Sequence, residues 1–251
     1  MTLDFNFYLF ALPAVLFAGI SKGGFGSAAA FAATPFLALI LSPGQAVGLM
    51  LPLLMVMDVT AIRLFWRKWD MRVSAILILG AVPGIVIGAL LYGVADPAVF
   101  KLMIGVVAVG FVAWQLAKAR HWIKPPKREL GTGAGLAWGG VTGLTSFISH
   151  AGGPPAAVYL LSKRLDKTTY QATSVLVFWA INAMKVVPYS MVGIFTKESL
   201  IADLTLVPVA VLGVFAGVWM HHRVPEKLFF GLTYVFLVIT GGKLIWEALA
   251  G

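Results

Sequence analysis

The chain has 251 residues, of which 60% are apolar and only 12% charged, against about 25% charged in an average soluble domain. That balance excludes a disordered chain and an ordinary soluble enzyme, and the absence of cysteine excludes disulfides, thiolate metal sites and cysteine chemistry. The net charge of +9 does not point to nucleic acid, because the basic residues sit in short clusters between apolar runs, as cytoplasmic anchors of membrane proteins do.

In chain order the apolar segments are 6–20, 25–41, 44–65, 71–93, 97–118, 131–149, 152–162, 168–195, 199–221 and 227–249. They are long continuous runs rather than ten-residue alternating stretches, so they are helices and not barrel strands. The expected fold is an all-α polytopic membrane protein with 8–10 membrane helices. The start, Met1 to Asn6, has no basic region before its apolar run and is expected not to be a cleaved signal. Segment 6–20 spans roughly 22 Å as helix and 152–162 about 16 Å, both short of a ~30 Å hydrocarbon core. Each adjoins a glycine pair, Gly23-Gly24 or Gly152-Gly153. Residues 6–41 and 131–162 are therefore expected to be glycine-broken hairpins that either turn back inside the membrane or cross it fully.

Fourteen of the 19 basic residues fall in four loops: Arg63, Arg67, Lys68 and Arg72; Lys118, Arg120, Lys124, Lys127 and Arg128; Lys163, Arg164 and Lys167; Arg223 and Lys227. Lysine and arginine loops face the cytoplasm. The first hairpin must then enter and leave from outside, the second from inside, and three spans follow each. The consequence is two inverted repeats of about five segments, 1–120 and 131–251, joined by a basic linker at 121–130, with both termini outside. Gly23-Gly24 and Gly152-Gly153 lie 129 residues apart, as do Gly84 and Gly88 from Gly213 and Gly217, and Gln45-Ala46 recurs as Gln171-Ala172 after 126.

Inverted repeats with broken helices place binding sites near the midplane, where helix ends meet. A helix opening after a glycine break offers free N–H groups and a positive dipole end to an anion. Gly23 and Gly24 with Ser21, and Gly152 and Gly153 with Ser149, are the expected openings. Lys22, at the first hairpin tip, is either a ligand-binding group or one that snorkels to the surface. Lys185 lies far inside segment 168–195, sharing a face with Asn182 and Tyr189, and is either a site residue or half of a structural ion pair. Asp58, 127 residues before Lys185, is expected to pair with it or with Arg63. Lys101 and Lys197 are expected to snorkel, and Lys243 and Glu247 to pair across one helical turn. His150 is a candidate proton group or a structural histidine. His121, His221 and His222 are expected at the interface. Ser27, Thr145 and Ser146 add hydroxyls. No metal ligand set is present in the sequence, no nucleotide loop, and no cofactor is expected. Lysines with a single facing carboxylate favour an anion over a cation as ligand.

The segment Gly19-Ile20-Ser21-Lys22-Gly23-Gly24-Phe25-Gly26, Pro35, and Gly152-Gly153-Pro154-Pro155-Ala156-Ala157-Val158-Tyr159-Leu160-Leu161 resemble the TauE/SafE family of sulfite exporters over essentially the whole chain. The resemblance implies a bacterial or archaeal inner-membrane carrier for a small sulfur-containing anion such as sulfite, thiosulfate or an organosulfonate, without enzymatic activity. It carries over to the two glycine motifs and Lys22 and to no further residue. The expected site is Lys22, Gly23, Gly24, Ser21, Lys185, Asn182, Gly152, Gly153, Ser149 and Tyr189, with Asp58 and His150 as candidates for proton coupling. The expected partners are the anion, the lipid bilayer, protons and a second copy of the chain. An anion channel and a non-transporting membrane scaffold are the alternatives.

Overall fold

The computed structural model describes residues 2–25, 29–123, 128–220 and 223–250. Gly26, Ser27, Lys124, Lys127, His221 and His222, named above, lie outside them. Among the described residues the chain forms α1 (Phe5–Ile20), a π-helical turn (Ser21–Phe25), a 3-10 turn (Ala30–Ala32), α2 (Ala33–Leu37), α3 (Pro43–Leu64), α4 (Met71–Val94), α5 (Pro97–Ala119), α6 (Thr132–Ser149), α7 (Gly153–Ser162), α8 (Lys167–Met191), α9 (Lys197–Met220) and α10 (Glu226–Ala250). Among the described residues seven helices are long and apolar enough to cross a membrane: α1 with its π turn, α3, α4, α5, α8, α9 and α10. The chain is a polytopic helical membrane protein.

Four of its ten acids cap helix starts. The first N–H groups of a helix have no partner inside it, and lipid supplies none. Asp4 accepts from the Phe7 amide at 2.8 Å, Asp70 from Val73 at 2.9 Å, and Asp96 from Ala98 at 2.8 Å. Asp166 accepts from Thr168 at 3.0 Å and Thr169 at 3.1 Å. Hydrogen bonds from Thr169 hold the exposed Asp166 carboxyl below the usual carboxylate range. Ser42 and Gln45 cap α3 reciprocally.

The packing follows the two halves. α1 runs against α9 as α6 runs against α4; α3 also meets α9 as α8 meets α4; α5 pairs with α10, and α3 with α8. Each partner in one half has its counterpart in the other. Glycines make the close approaches. A methyl on Gly19 would lie 2.8 Å from the Gly213 Cα, and one on Gly139 2.8 Å from the Gly80 Cα. Gly84 and Gly88 receive α6 at Gly140 and Phe147, while Gly213 and Gly217 receive α1 at Gly19 and Gly24. Gly84 and Gly88 thus perform in one half the task that Gly213 and Gly217 perform in the other.

The first hairpin departs from expectation at its glycine pair. The segment 25–41 is not one helix: α2 and the preceding 3-10 turn cover eight residues, about 12 Å at helical rise, well short of a ~30 Å hydrocarbon core. Nor does a helix open after Gly23-Gly24. α1 continues through them as a π turn, and both glycines press on the backbone carbonyls of Val214 and Gly217 in α9. Gly152-Gly153 do form a break, so the two pairs are not structural equivalents. The difference lies in what each meets: a neighbouring helix backbone for the first, a chain reversal for the second.

The glycine contacts predict an asymmetric mutational result. Gly84→Ala would drive a methyl into the Gly140 carbonyl, whereas Gly110 has nothing within 4 Å. Gly84→Ala should lower the melting temperature of the purified protein, at an overpacking cost of about 1–3 kcal/mol. Gly110→Ala should not lower it, as followed by intrinsic fluorescence in detergent.

Candidate functional site

The polar groups at the centre of the bundle come from α3, α6, α8 and the π turn. Lys22 is 4% exposed and Asp58 1%, and their side chains form an ion pair. The other Asp58 oxygen accepts from the Asn182 side-chain amide at 2.7 Å. One carboxylate on α3 therefore joins the π turn to α8. This corrects the expected pairing of Asp58 with Lys185 or Arg63. Arg63 is exposed at the end of α3, whereas the π turn aims Lys22 inward instead of toward the surface.

Lys185 is fully buried. Its ammonium donates to the Ser146 carbonyl at 3.0 Å and lies 2.7 Å from His150 Nδ1. The opposite ring nitrogen, Nε2, is 3.0 Å from the Val47 carbonyl of α3. A carbonyl requires a donor, so Nε2 carries the hydrogen and Nδ1 presents its lone pair to the ammonium. His150 thereby couples α8 to α3 as a neutral ring. It closes α6 in the left-handed region (φ 57°), a conformation histidine adopts more readily than most residues. That reversal lets α7 begin at Gly153, with Gly152 as its cap and a proline in its first turn.

The remaining expected residues take varied places. The Tyr189 hydroxyl donates to the Phe147 carbonyl at 2.6 Å, so it is committed to the backbone. Its ring centre is 5.8 Å from the Lys185 ammonium, within cation–π range. Ser149 is buried, and its hydroxyl has no partner among the described residues. Ser21 is buried beside Lys22. Gly23 and Gly24 serve the contact with α9, and Gly152 the break before α7, where a methyl would lie 3.0 Å from the Phe178 ring. Thr145 bonds the Val141 carbonyl at 2.8 Å. Outside the centre, Lys101 pairs with Glu247 at 2.9 Å, and Lys243 reaches the same carboxylate at 3.7 Å.

Beside Lys22 lies a cavity of about 10 Å³, lined by Lys22, Ser146, His150 and Asn182 with Phe31 and Phe178; Lys185 reaches it only through its partners Ser146 and His150. It has room for about one water molecule. Sequence reasoning did not find the Ser146 and Val47 carbonyls as acceptors, since backbone groups carry no residue signature. It also missed Thr34, a fully buried hydroxyl on α2 without a partner among the described residues.

A family model described as "Sulfite exporter TauE/SafE" matches residues 11–244. No curated protein and no solved structure gives a significant match to the chain.

The Lys22–Asp58 pair makes a stability prediction. Removing one partner of a buried pair costs about 3–5 kcal/mol, whereas replacing both by apolar groups of similar size is often neutral. Asp58→Leu alone should strongly lower the melting temperature, and adding Lys22→Met should restore most of the loss. A double variant no more stable than the single would show that the pair does not carry the energy.

Proposed function

The chain belongs to the TauE/SafE family of sulfite exporters, a family of membrane transporters, and from that premise we propose that it is a secondary exporter of a small sulfur-containing oxyanion. The observation that carries the reading is a set of buried polar groups on elements from both halves of the chain: Lys22, His150 and Asn182 line one small cavity, and Lys185 stands behind it, bonded to the Ser146 carbonyl and His150. Donors of this kind replace the water that a hydrated oxyanion loses on entering. Asp58 supplies the counter-charge that allows Lys22 to be held there.

The size of the cavity favours a carrier over a channel. A sulfite ion is several times larger than about 10 Å³, so an anion enters only if the elements around the cavity separate. Separation toward one side at a time is alternating access, with the site at the junction of two inverted halves. The exchanged pairing of α1 with α9 and α6 with α4 supports two halves of opposite direction. With the basic loops facing the cytoplasm of a bacterial or archaeal inner membrane, both termini lie outside. The membrane potential then favours outward movement of an anion.

Reconstituted into liposomes loaded with labelled sulfite, the protein should give saturable efflux that accelerates when the potential is inside-negative. Lys185→Met should reduce the initial rate at least tenfold while leaving the protein folded by circular dichroism. Efflux that rises linearly with concentration without limit would identify a channel, and unchanged efflux in Lys185→Met would remove that lysine from the site.

A further inference from the structure

The charges at the centre do not cancel, and their sum selects among oxyanions. Lys22 is neutralised by Asp58, which it contacts directly. His150 is neutral by the hydrogen-bond geometry given above. Lys185 remains: its neighbours are a carbonyl, a neutral ring nitrogen and an aromatic face. Asp58 is the carboxylate that pairs with Lys22. The other buried carboxylate, Asp203 on α9, has no hydrogen-bond partner among the described residues.

We infer that the site takes its substrate as a monoanion, bound as the counter-ion of Lys185, and that Asp58 sets this valence by cancelling Lys22. The inference rests on the transport reading above and narrows it to hydrogensulfite and singly charged sulfonates, against sulfate, thiosulfate and the sulfite dianion. A singly charged ion brings the centre to neutrality. A doubly charged ion leaves one negative charge uncompensated in a site removed from water, where an unpaired charge is costly. Asp58 acts on specificity through Lys22 and need not touch the anion itself.

The test uses the full chain in detergent and in liposomes, with ions of fixed charge. Methanesulfonate, and hydrogensulfite at mildly acidic pH, serve as monoanions; sulfate and thiosulfate serve as dianions. The wild type should be stabilised against heat by the monoanions with at least about tenfold tighter apparent affinity than by the dianions. The same order should appear in competition against labelled sulfite efflux. Asp58→Asn adds one positive charge to the sum and should reverse the order, its lowered melting temperature being raised most by a dianion. Lys185→Gln should lose the response to all four ions. A wild type that prefers dianions overturns the inference, whether or not Asp58→Asn folds. So does an Asp58→Asn protein that keeps the wild-type order. If no ion of either charge stabilises the wild type or competes for efflux, the transport reading itself falls. Binding in the wrong order leaves that reading standing and removes the valence assignment alone.

Discussion

Everything at the centre of this molecule depends on how two ammonium groups are held away from water. Each must find lone pairs within hydrogen-bond reach, and the bundle offers them in two ways. Lys22 receives a carboxylate, Asp58. Lys185 receives a backbone carbonyl, an imidazole nitrogen and the face of a tyrosine ring. The first arrangement is an ion pair with no residual charge. The second satisfies hydrogen bonds without cancelling charge, and so leaves a centre that an anion can complete.

Glycine packing makes that arrangement reachable. Lys22 faces inward because α1 does not end at Ile20 but tightens into a π turn, a form of helix that frequently accompanies functional sites. The turn stays pinned because Gly23 and Gly24 let it rest directly on the backbone of α9. On the other half, the glycines of α4 and α6 bring those helices to backbone contact, which fixes the end of α6 from which the Ser146 carbonyl and His150 project. Small residues at helix contacts are the usual means of close approach in a membrane. Here they set the position of each lysine or its acceptor.

The sequence made the helices, the basic loops and the glycine spacing legible, because apolar length, charge and residue size are local properties. Lys22, Lys185, Asn182, Asp58 and His150 stood out for the same reason: a polar side chain inside an apolar run is visible without a structure. Their pairing was not visible. Asp58 and Lys185 occupy corresponding positions of α3 and α8, which suggested a bond between them. The π turn instead carries Lys22 to Asp58, and no composition rule announces a π turn. Gly23-Gly24 and Gly152-Gly153 likewise read as one repeated motif, although one pair serves packing and the other a reversal at His150.

That asymmetry bears on how the cavity opens. The π turn is in direct backbone contact with α9 through Gly23 and Gly24. The second hairpin is hinged at a left-handed residue whose ring holds both α8 and α3. At the cavity, two hydrogen bonds join α3 to the second half of the chain: Asn182 to Asp58 at 2.7 Å and His150 to the Val47 carbonyl at 3.0 Å. Widening the cavity between α3 and α8 must stretch one or both. An anion that draws Lys185 toward itself would also withdraw the hydrogen bond that orients His150, and with it the grip on Val47. On the proposed reading, the group assigned to the substrate is one hydrogen bond away from a contact between α3 and the second half of the chain, so binding and opening would share a single side chain.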